Sequence, residues 1–296
     1  MTTIKREKNY WNVHNWLKEK ISIRPGSWKF FSMMFKVLAL SGPCFKWPLL
    51  GTLLKKTVMF SPRENRHSQS FVLNLNKDIT DLSKNVVLPI DIMKKLIRES
   101  GYRIIMNKCI CREGQGCSNY PHDFACIFLG EGVRRLAMNG LAREATIDEA
   151  LTHIDRGAAL GLVGQCLWIE VEQYIWGIKD ENINKFLEVC FCCPCCCSAL
   201  KFAKNTSIDI QSRFQSIGWK SSINKLCDGC GICEPICMIN AISIKGERAI
   251  VEEEKCLGCG ICASRCPLSA IQLTLKSPLK DDMKDYFLDK GLHLDI

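Results

Sequence analysis

Between residues 227 and 266 cysteine recurs at a spacing that leaves few folds open. The run Cys227-Asp-Gly-Cys230-Gly-Ile-Cys233-Glu-Pro-Ile-Cys237 is followed, after a short spacer, by Cys256-Leu-Gly-Cys259-Gly-Ile-Cys262-Ala-Ser-Arg-Cys266-Pro267. Both have the form C-x2-C-x2-C-x3-C, the spacing with which bacterial chains hold iron–sulfur clusters. The reason is geometric. Three thiols two residues apart can wrap one face of a cube only where the backbone turns tightly. Gly229, Gly231, Gly258 and Gly260 supply the φ freedom and let backbone N–H groups approach sulfur. Zinc sites would use paired C-x2-C knuckles without a third cysteine two residues on. Disulfide frameworks belong to short secreted domains, and nothing here looks secreted.

Over residues 218–275 these motifs resemble the two-cluster bacterial ferredoxins. The resemblance implies two 4Fe–4S clusters with crossed ligation: Cys227, Cys230, Cys233 and Cys266 on one, Cys256, Cys259, Cys262 and Cys237 on the other. In it the fourth cysteine of each run begins a helix and points at the other cube. One departure is Met238, where proline is usual; Pro267 keeps it in the second run. That change should alter local rigidity more than ligation, since proline at a first helical position only presets φ. The resemblance also implies a two-fold repeat, with short strands at 241–244 and 249–251 around the turn Lys245–Arg248, and a matching strand at 270–275. Six basic and six acidic residues in this stretch leave it without an acidic docking surface, so an intramolecular or subunit-bound relay fits better than long-range steering. Lys255 and Arg265 adjoin ligands and would raise the potential somewhat.

Of the twenty cysteines, twelve lie outside this repeat. Such density survives in a reducing compartment or on metal. That points to the cytoplasm, of an anaerobe or an oxygen-protected setting. Ten of the twelve form two groups: Cys109, Cys111, Cys117 and Cys126, then Cys190, Cys192, Cys193, Cys195, Cys196 and Cys197. Six cysteines in eight residues cannot all bind one metal, because neighbouring side chains diverge, nor pair sensibly as disulfides. The fold is therefore expected to bring the two groups together, each at the end of a strand. Ten thiols suffice for one or two further iron–sulfur clusters or one larger one, with zinc as the competing metal. The C-x-C-R arrangement followed by a cysteine-dense run is similar to N-terminal regions of some ferredoxin-fused proteins of anaerobes, a likeness that carries no defined reaction.

Other residues weigh less. His122 is a ligand or proton donor near Cys117, or simply bonds its own loop. Arg112 holds a cluster or an anion, or makes a salt bridge. Gly114 and Gly116 read as a flexible loop, and Cys44 and Cys166 as lone buried hydrophobes. No dinucleotide fingerprint, P-loop, serine-protease pattern or H-E-x-x-H is present.

The net charge of +9 resides in residues 1–60, which hold eleven Lys/Arg and two Glu; the remainder balances. No nucleic-acid footprint follows. Trp11, Trp16, Trp28 and Trp47 interleave with lysines there. Uncharged runs are well short of the ~20 residues of a membrane span, and Gly42, Pro43 and Pro48 interrupt them. An amphipathic segment on a membrane surface or in a partner's groove suits this pattern, against the blander alternative of an arm packed on its own protein. Residues 61–88 read as a polar linker. Asp91 is expected to cap a helix at 92–99, Tyr102–Met106 to form a strand, 131–143 a helix, Thr146–Glu149 a capping box for the next helix, and 283–288 a short tail helix. Residues 167–176 are ambiguous.

The expectation is therefore an α+β protein: a basic, Trp-rich arm (1–60), a linker (61–88), a cysteine-rich α/β metal or iron–sulfur domain (89–205), a small two-cluster ferredoxin-like domain (218–275) and a tail (276–296). Its expected function is single-electron transfer between a redox partner protein and the cysteine-rich domain, as a subunit or module of an anaerobic redox system. The alternatives are a reductase whose active site is a cluster built from Cys109–Cys126 and Cys190–Cys197, or a redox-sensing or scaffold subunit. Its place would be cytoplasmic, or peripheral on the inner face of a membrane.

Overall fold

The structure, a computed structural model, describes residues 13–55, 68–76, 78 and 88–296. Expectations for Trp11 and the rest of residues 1–12, for the end of the arm (56–60) and for most of the linker (61–67, 77 and 79–87) lie outside the described residues. The chain is α+β. Seven strands, β1 Gln69–Leu73, β2 Arg103–Met106, β3 Ile127–Leu129, β4 Ala142–Glu144, β5 Val163–Trp168, β6 Leu187–Cys192 and β7 Phe214–Ser216, form one sheet in the order β4-β2-β3-β6-β5-β1-β7. Every neighbouring pair is antiparallel except β1 with β7.

Strand β1 corrects the linker expectation, because residues 69–73 form an interior strand between β5 and β7. Gln69 and Ser70 gave the stretch its polar look, yet all five residues are buried. Ser70 Oγ accepts a hydrogen bond from Gln165 Nε2, which satisfies a polar group that burial would otherwise penalise.

The two faces of the sheet do different work, and period-2 alternation sorts them. On one face Phe71, Leu73, Cys166, Trp168, Leu187, Val189 and Phe191 join the main core with Met93 and Leu96, Ile154, and Phe287. These last come from the helices Pro89–Glu99, Ile147–Ala159 and Met283–Leu288. Each fully buried large apolar side chain is worth roughly 1.5–3 kcal/mol, so this layer dominates stability. On the other face Val72, Val163, Leu167, Cys190, Cys192 and Phe214 pack with Leu200 and Ala203 of the helix Ser198–Asn205 and with Met238, Ile239, Leu257 and Ile261. The second apolar layer therefore joins the sheet to the C-terminal region.

In that region β8 Trp219–Ile223 pairs with β11 Ile271–Leu275, and β9 Ile242–Lys245 with β10 Arg248–Val251, all antiparallel. One-turn helices span Cys233–Ile236 and Ile261–Ser264. Cys237 and Cys266 thus follow those helices instead of beginning new ones, since a residue with positive φ, Asn240 (55°) or Ser269 (50°), turns the chain three positions later.

The Thr146 capping box forms as expected: Glu149 N–H donates to Thr146 Oγ1 and Thr146 N–H to Glu149 Oε2. The helix at 89–99 begins with Pro89 as its first residue, and Asp91 lies in its first turn instead of capping it. The helix expected at 131–143 is broken. A 3-10 turn (131–133) and the short helix Arg134–Met138 end at Gly140 (φ +72°), and β4 follows. Residues 167–176 divide between the end of β5 and the helix Glu172–Trp176.

The N-terminal helices Val13–Ile21, Trp28–Leu40 and Pro48–Leu54 pack on the protein itself along one side. Phe31 and Phe35 enter the main core, and buried Lys18 donates to Asp180 (2.7 Å) and Gln173 (2.6 Å). The opposite side is exposed: Phe30 (59%), Met33, Val37 and Leu40 (68%) form a stripe along the second helix, continued by Trp47, Leu49 (89%) and Leu53. No helix among the described residues is long and apolar enough to cross a membrane.

Candidate metal centres

The C-terminal cysteines gather as two crossed sets. Cys227, Cys230, Cys233 and Cys266 line one cavity with Ile244, Ala249 and Ile271. Cys259 has Cys262, Cys237 and Cys256 as its charged neighbours. Burial, followed by those three thiols, pushes the Cys259 thiol well up, and Cys262 is pushed up to about 12 by burial and by Cys256 and Cys237. Buried thiols that resist ionising, as Cys259 and Cys262 do, are matched to a cationic group that would neutralise them, and two sets of four thiols are the donors that a pair of 4Fe–4S clusters takes.

The backbone is arranged for the sulfurs. Gly229, Gly231, Gly258 and Gly260 all have φ between 62° and 81°, which is the freedom the motif demanded. Ala241 N–H donates to Cys237 Sγ (3.1 Å) and Ala270 N–H to Cys266 Sγ (3.3 Å). The positive φ of Asn240 and Ser269 aims these two donors, and no spacing in the sequence signals them. Ala249 and Ser221 N–H groups reach Cys227 and Cys256 Sγ, and Ser221 Oγ lies 3.3 Å from Cys262 Sγ. Hydrogen bonds of this kind tune a cluster's potential. Lys255 pairs with Glu252 (2.6 Å), which offsets its charge near Cys256.

The other ten cysteines meet on the second face of the sheet and at its edge. Each group is carried by a strand, a cysteine and a helix. Cys109 is the N-cap of the helix Ile110–Gln115 and Cys197 the N-cap of the helix Ser198–Asn205. The thiol of each receives a backbone N–H three residues on, from Arg112 and Leu200. Helix N-termini favour thiolate over thiol; Cys109 is held low, by the Cys111 thiol first, whereas Cys192 and burial outweigh the helix end and hold the Cys197 thiol well up. Gly114 lies within the first helix and Gly116 (φ +63°) ends it, so the expected flexible loop is a helix. Gly114 has no side chain because a Cβ there would collide with Ser32 O of the helix Trp28–Leu40.

An inner group of six thiols, Cys109, Cys111, Cys126, Cys190, Cys192 and Cys197, lines a cavity of about 820 Å³, open solvent included, and Cys193 borders it as a seventh. Cys126 and Cys190 Sγ are 2.8 Å apart, Cys190 donates to Glu188 Oε1 (2.9 Å), and Cys192 donates to Gln165 Oε1 (3.1 Å). Gln165 and Cys190 are cross-strand partners, as are Leu167 and Glu188. Glu172 closes the wall against Glu188; burial and then the charge of its neighbour raise its carboxyl well above the usual range. Phe35, Leu38, Ile169, Ile175 and Phe202 complete an apolar lining.

An outer group, Cys117, Cys193, Cys195 and Cys196, has all four Sγ atoms within 4.8 Å of one another. Between the groups lies Arg112, 1% exposed. It donates to the carbonyls of Pro121 (3.2 Å), Phe124 and Phe191 (2.6 Å), with its charge facing Cys109, Cys193 and Cys126. Among the described residues it makes no salt bridge to a carboxylate. His122 Nε2 lies 2.7 Å from Cys117 O and its Nδ1 3.4 Å from Glu113, so it bonds its own loop.

Glu188, Glu172, Gln165 and His153 are additions that motif reading missed. Glu188 is legible afterwards as the residue in step with Cys190 and Cys192 along β6. His153 donates to or accepts from nothing in the cavity; its Nε2 meets Ala125 O (2.8 Å) and its ring stacks on Phe124, bracing the backbone beside Cys126. Cys166 is fully buried in the core, as read, and burial raises its thiol; Cys44 is only half-buried.

Comparison with known families matches residues 226–270 to the 4Fe-4S dicluster domain. No curated protein matches the chain. The match covers the two crossed sets of cysteines and leaves the cysteine-rich sheet outside it. The chain thus carries an iron–sulfur, ferredoxin-like domain with a role in electron transfer.

Proposed function

We propose that this protein relays single electrons between a redox partner and the inner thiol pocket of the seven-stranded domain, by way of the ferredoxin-like domain. Cys227, Cys230, Cys233 and Cys266 would hold one 4Fe–4S cluster, Cys256, Cys259, Cys262 and Cys237 the second, and the inner thiols a further iron–sulfur centre. When bound, such clusters supply one-electron exchange with little atomic movement. The chain's own part is to keep the route short and dry. The observation carrying the reading is one apolar cluster that contains Cys256 and Met238 of the ferredoxin-like domain together with Cys190, Cys192 and Cys197 of the pocket, with Cys237 and Cys259 packed against it. Lys204 Nζ donates to Cys237 O (2.9 Å) and holds the helix Ser198–Asn205 to the same domain.

The test is iron and sulfide analysis of anaerobically purified protein with a reductive titration. More than about eight of each per chain, the content of two 4Fe–4S clusters, and reduction of a third centre would support the relay. Content confined to about eight would remove its terminal station.

A reductase is the second reading, favoured by one observation: the inner thiols open on an apolar cavity with Glu172 and Glu188 in its wall, the form of a small-molecule site. Spectral change of the reduced protein on adding a small exogenous ligand such as cyanide would select it over the plain relay. Protein of this type would work in an anaerobic or oxygen-protected cytoplasmic setting. The exposed stripe Phe30–Leu40, flanked by Lys29, Lys36 and Lys46, supports docking to the anionic inner face of a membrane.

A further inference from the structure

We propose that Cys117, Cys193, Cys195 and Cys196 hold one thiophilic divalent metal ion as a closed tetrathiolate, separate from the iron–sulfur clusters. A zinc-type ion with metal–sulfur bonds of about 2.3 Å sets its four tetrahedral sulfurs about 3.8 Å apart. Cys117 and Cys195 Sγ are 3.8 Å apart, Cys195 and Cys196 Sγ 3.5 Å, and all four lie within 4.8 Å. In a cubane the irons already stand off the centre and the thiolates lie beyond them, so the four cysteine sulfurs must be wider apart than around one ion. The same molecule provides the comparison. Neither crossed set of the ferredoxin-like domain draws in to this spacing; the other tight group among the described residues is Cys126, Glu188 and Cys190.

The chain is built to close the site. Gly116, with φ +63°, turns Cys117 back after the helix Ile110–Gln115. Cys197 N–H donates to Cys193 O, closing a turn that gathers Cys193, Cys195 and Cys196 beside Cys117 and sends Cys192 and Cys197 to the inner pocket, which Cys193 also borders. The sequence expectation that neighbouring cysteines diverge therefore holds at 192/193 and 196/197 and fails at 195/196. A divalent ion on four thiolates leaves two negative charges, and Arg112 faces Cys193 to offset them. Four protein ligands leave no open position, so the ion braces two loops and binds no substrate. Zinc and ferrous iron both suit the donor set.

The test compares wild type, Cys117→Ser, Cys195→Ser and a Cys44→Ser control, each as full-length protein purified without oxygen. Zinc, iron and acid-labile sulfide are counted per chain. Both site variants should lose about one metal equivalent, with sulfide and the visible spectrum of the clusters unchanged, and Cys44→Ser should lose nothing. Loss of sulfide together with several irons would assign the quartet to a cluster and overturn the proposal, as would unchanged metal content. Should both site variants prove insoluble, wild-type protein grown with cobalt decides. Tetrahedral thiolate–cobalt charge-transfer bands are expected, and their absence refutes the site. Sulfide content reports the clusters alone, so failure here leaves the relay reading standing.

Discussion

Replacing Arg112 by methionine and by lysine separates two roles that one guanidinium performs. Its three donor contacts go to the carbonyls of Pro121, Phe124 and Phe191, which tie the Cys117–Cys126 loop to β6. A hydrogen bond from a charged group is worth roughly 1.5–3 kcal/mol, and a buried acceptor left alone costs about 1–3 kcal/mol. Lysine can serve only part of that fork. R112K should therefore lose roughly 2–4 kcal/mol, and R112M roughly 3–6 kcal/mol, given that such losses do not add fully. At about 2 °C per kcal/mol for a chain of this size, R112M should melt roughly 6–12 °C lower. Charge is the second role. A unit charge ~6 Å from a redox centre at an effective dielectric near 20 contributes about 3 kcal/mol, on the order of 100 mV for one electron. R112M should therefore lower the potential of the cysteine-rich centre by that order while R112K leaves it nearly unchanged. The assay is anaerobic thermal bleaching with a redox titration of both variants. Equal potentials in R112M and wild type, or wild-type melting in both variants, would refute the assignment of Arg112 as cross-brace and counter-charge.

Three further outcomes follow. Gly229→Ala should cost roughly 2–4 kcal/mol and deplete iron from the first set of cysteines, because its φ is +72° and a Cβ would lie 2.6 Å from Glu247 C; full iron content in the variant would contradict the tight wrap. Burial, aided by Arg156, holds His153 down to about 4. The unfolded chain therefore takes up that proton first, and up to about 3 kcal/mol of stability, whole above pH 6.5, drains away as pH falls from about 6.5 towards 4; in His153→Gln the gap in melting temperature between pH 7.5 and pH 5 should narrow. Full-length protein should float with anionic vesicles at low salt, and Phe30→Ser/Val37→Ser/Leu40→Ser should bind at least tenfold more weakly; equal flotation of both would dismiss the stripe as a docking face.

How much could be read from the chain depended on whether a feature was local. The two cysteine runs rest on spacings of two and three residues and on glycines beside them, all of it local, and a dicluster family model spans the same residues. The turns at Asn240 and Ser269 adopt positive φ without glycine, so nothing in residue type marks them. The strand at 69–73 was hidden because Gln69 and Ser70 are buried through partners on β5 and β7, which only the tertiary fold supplies. The helix expected at 131–143 failed on Gly140, whose left-handed turn outweighs the helical pattern before it. That the two cysteine groups would meet was legible from the repeated strand–cysteine–helix order. Their division into an inner and an outer set was not, because it depends on which way Cys192, Cys193, Cys196 and Cys197 point around one turn.

Strand β6 leaves evolution and engineering little latitude. It sets Leu187, Val189 and Phe191 into the oily interior and presents Glu188, Cys190 and Cys192 to the pocket, so deletion or insertion of a single amino acid would exchange the two sets. Thiols would then be sunk in hydrocarbon while leucine and phenylalanine faced the electron route. Drift in this part of the gene should accordingly proceed by substitution, with length changes confined to the turns on either side.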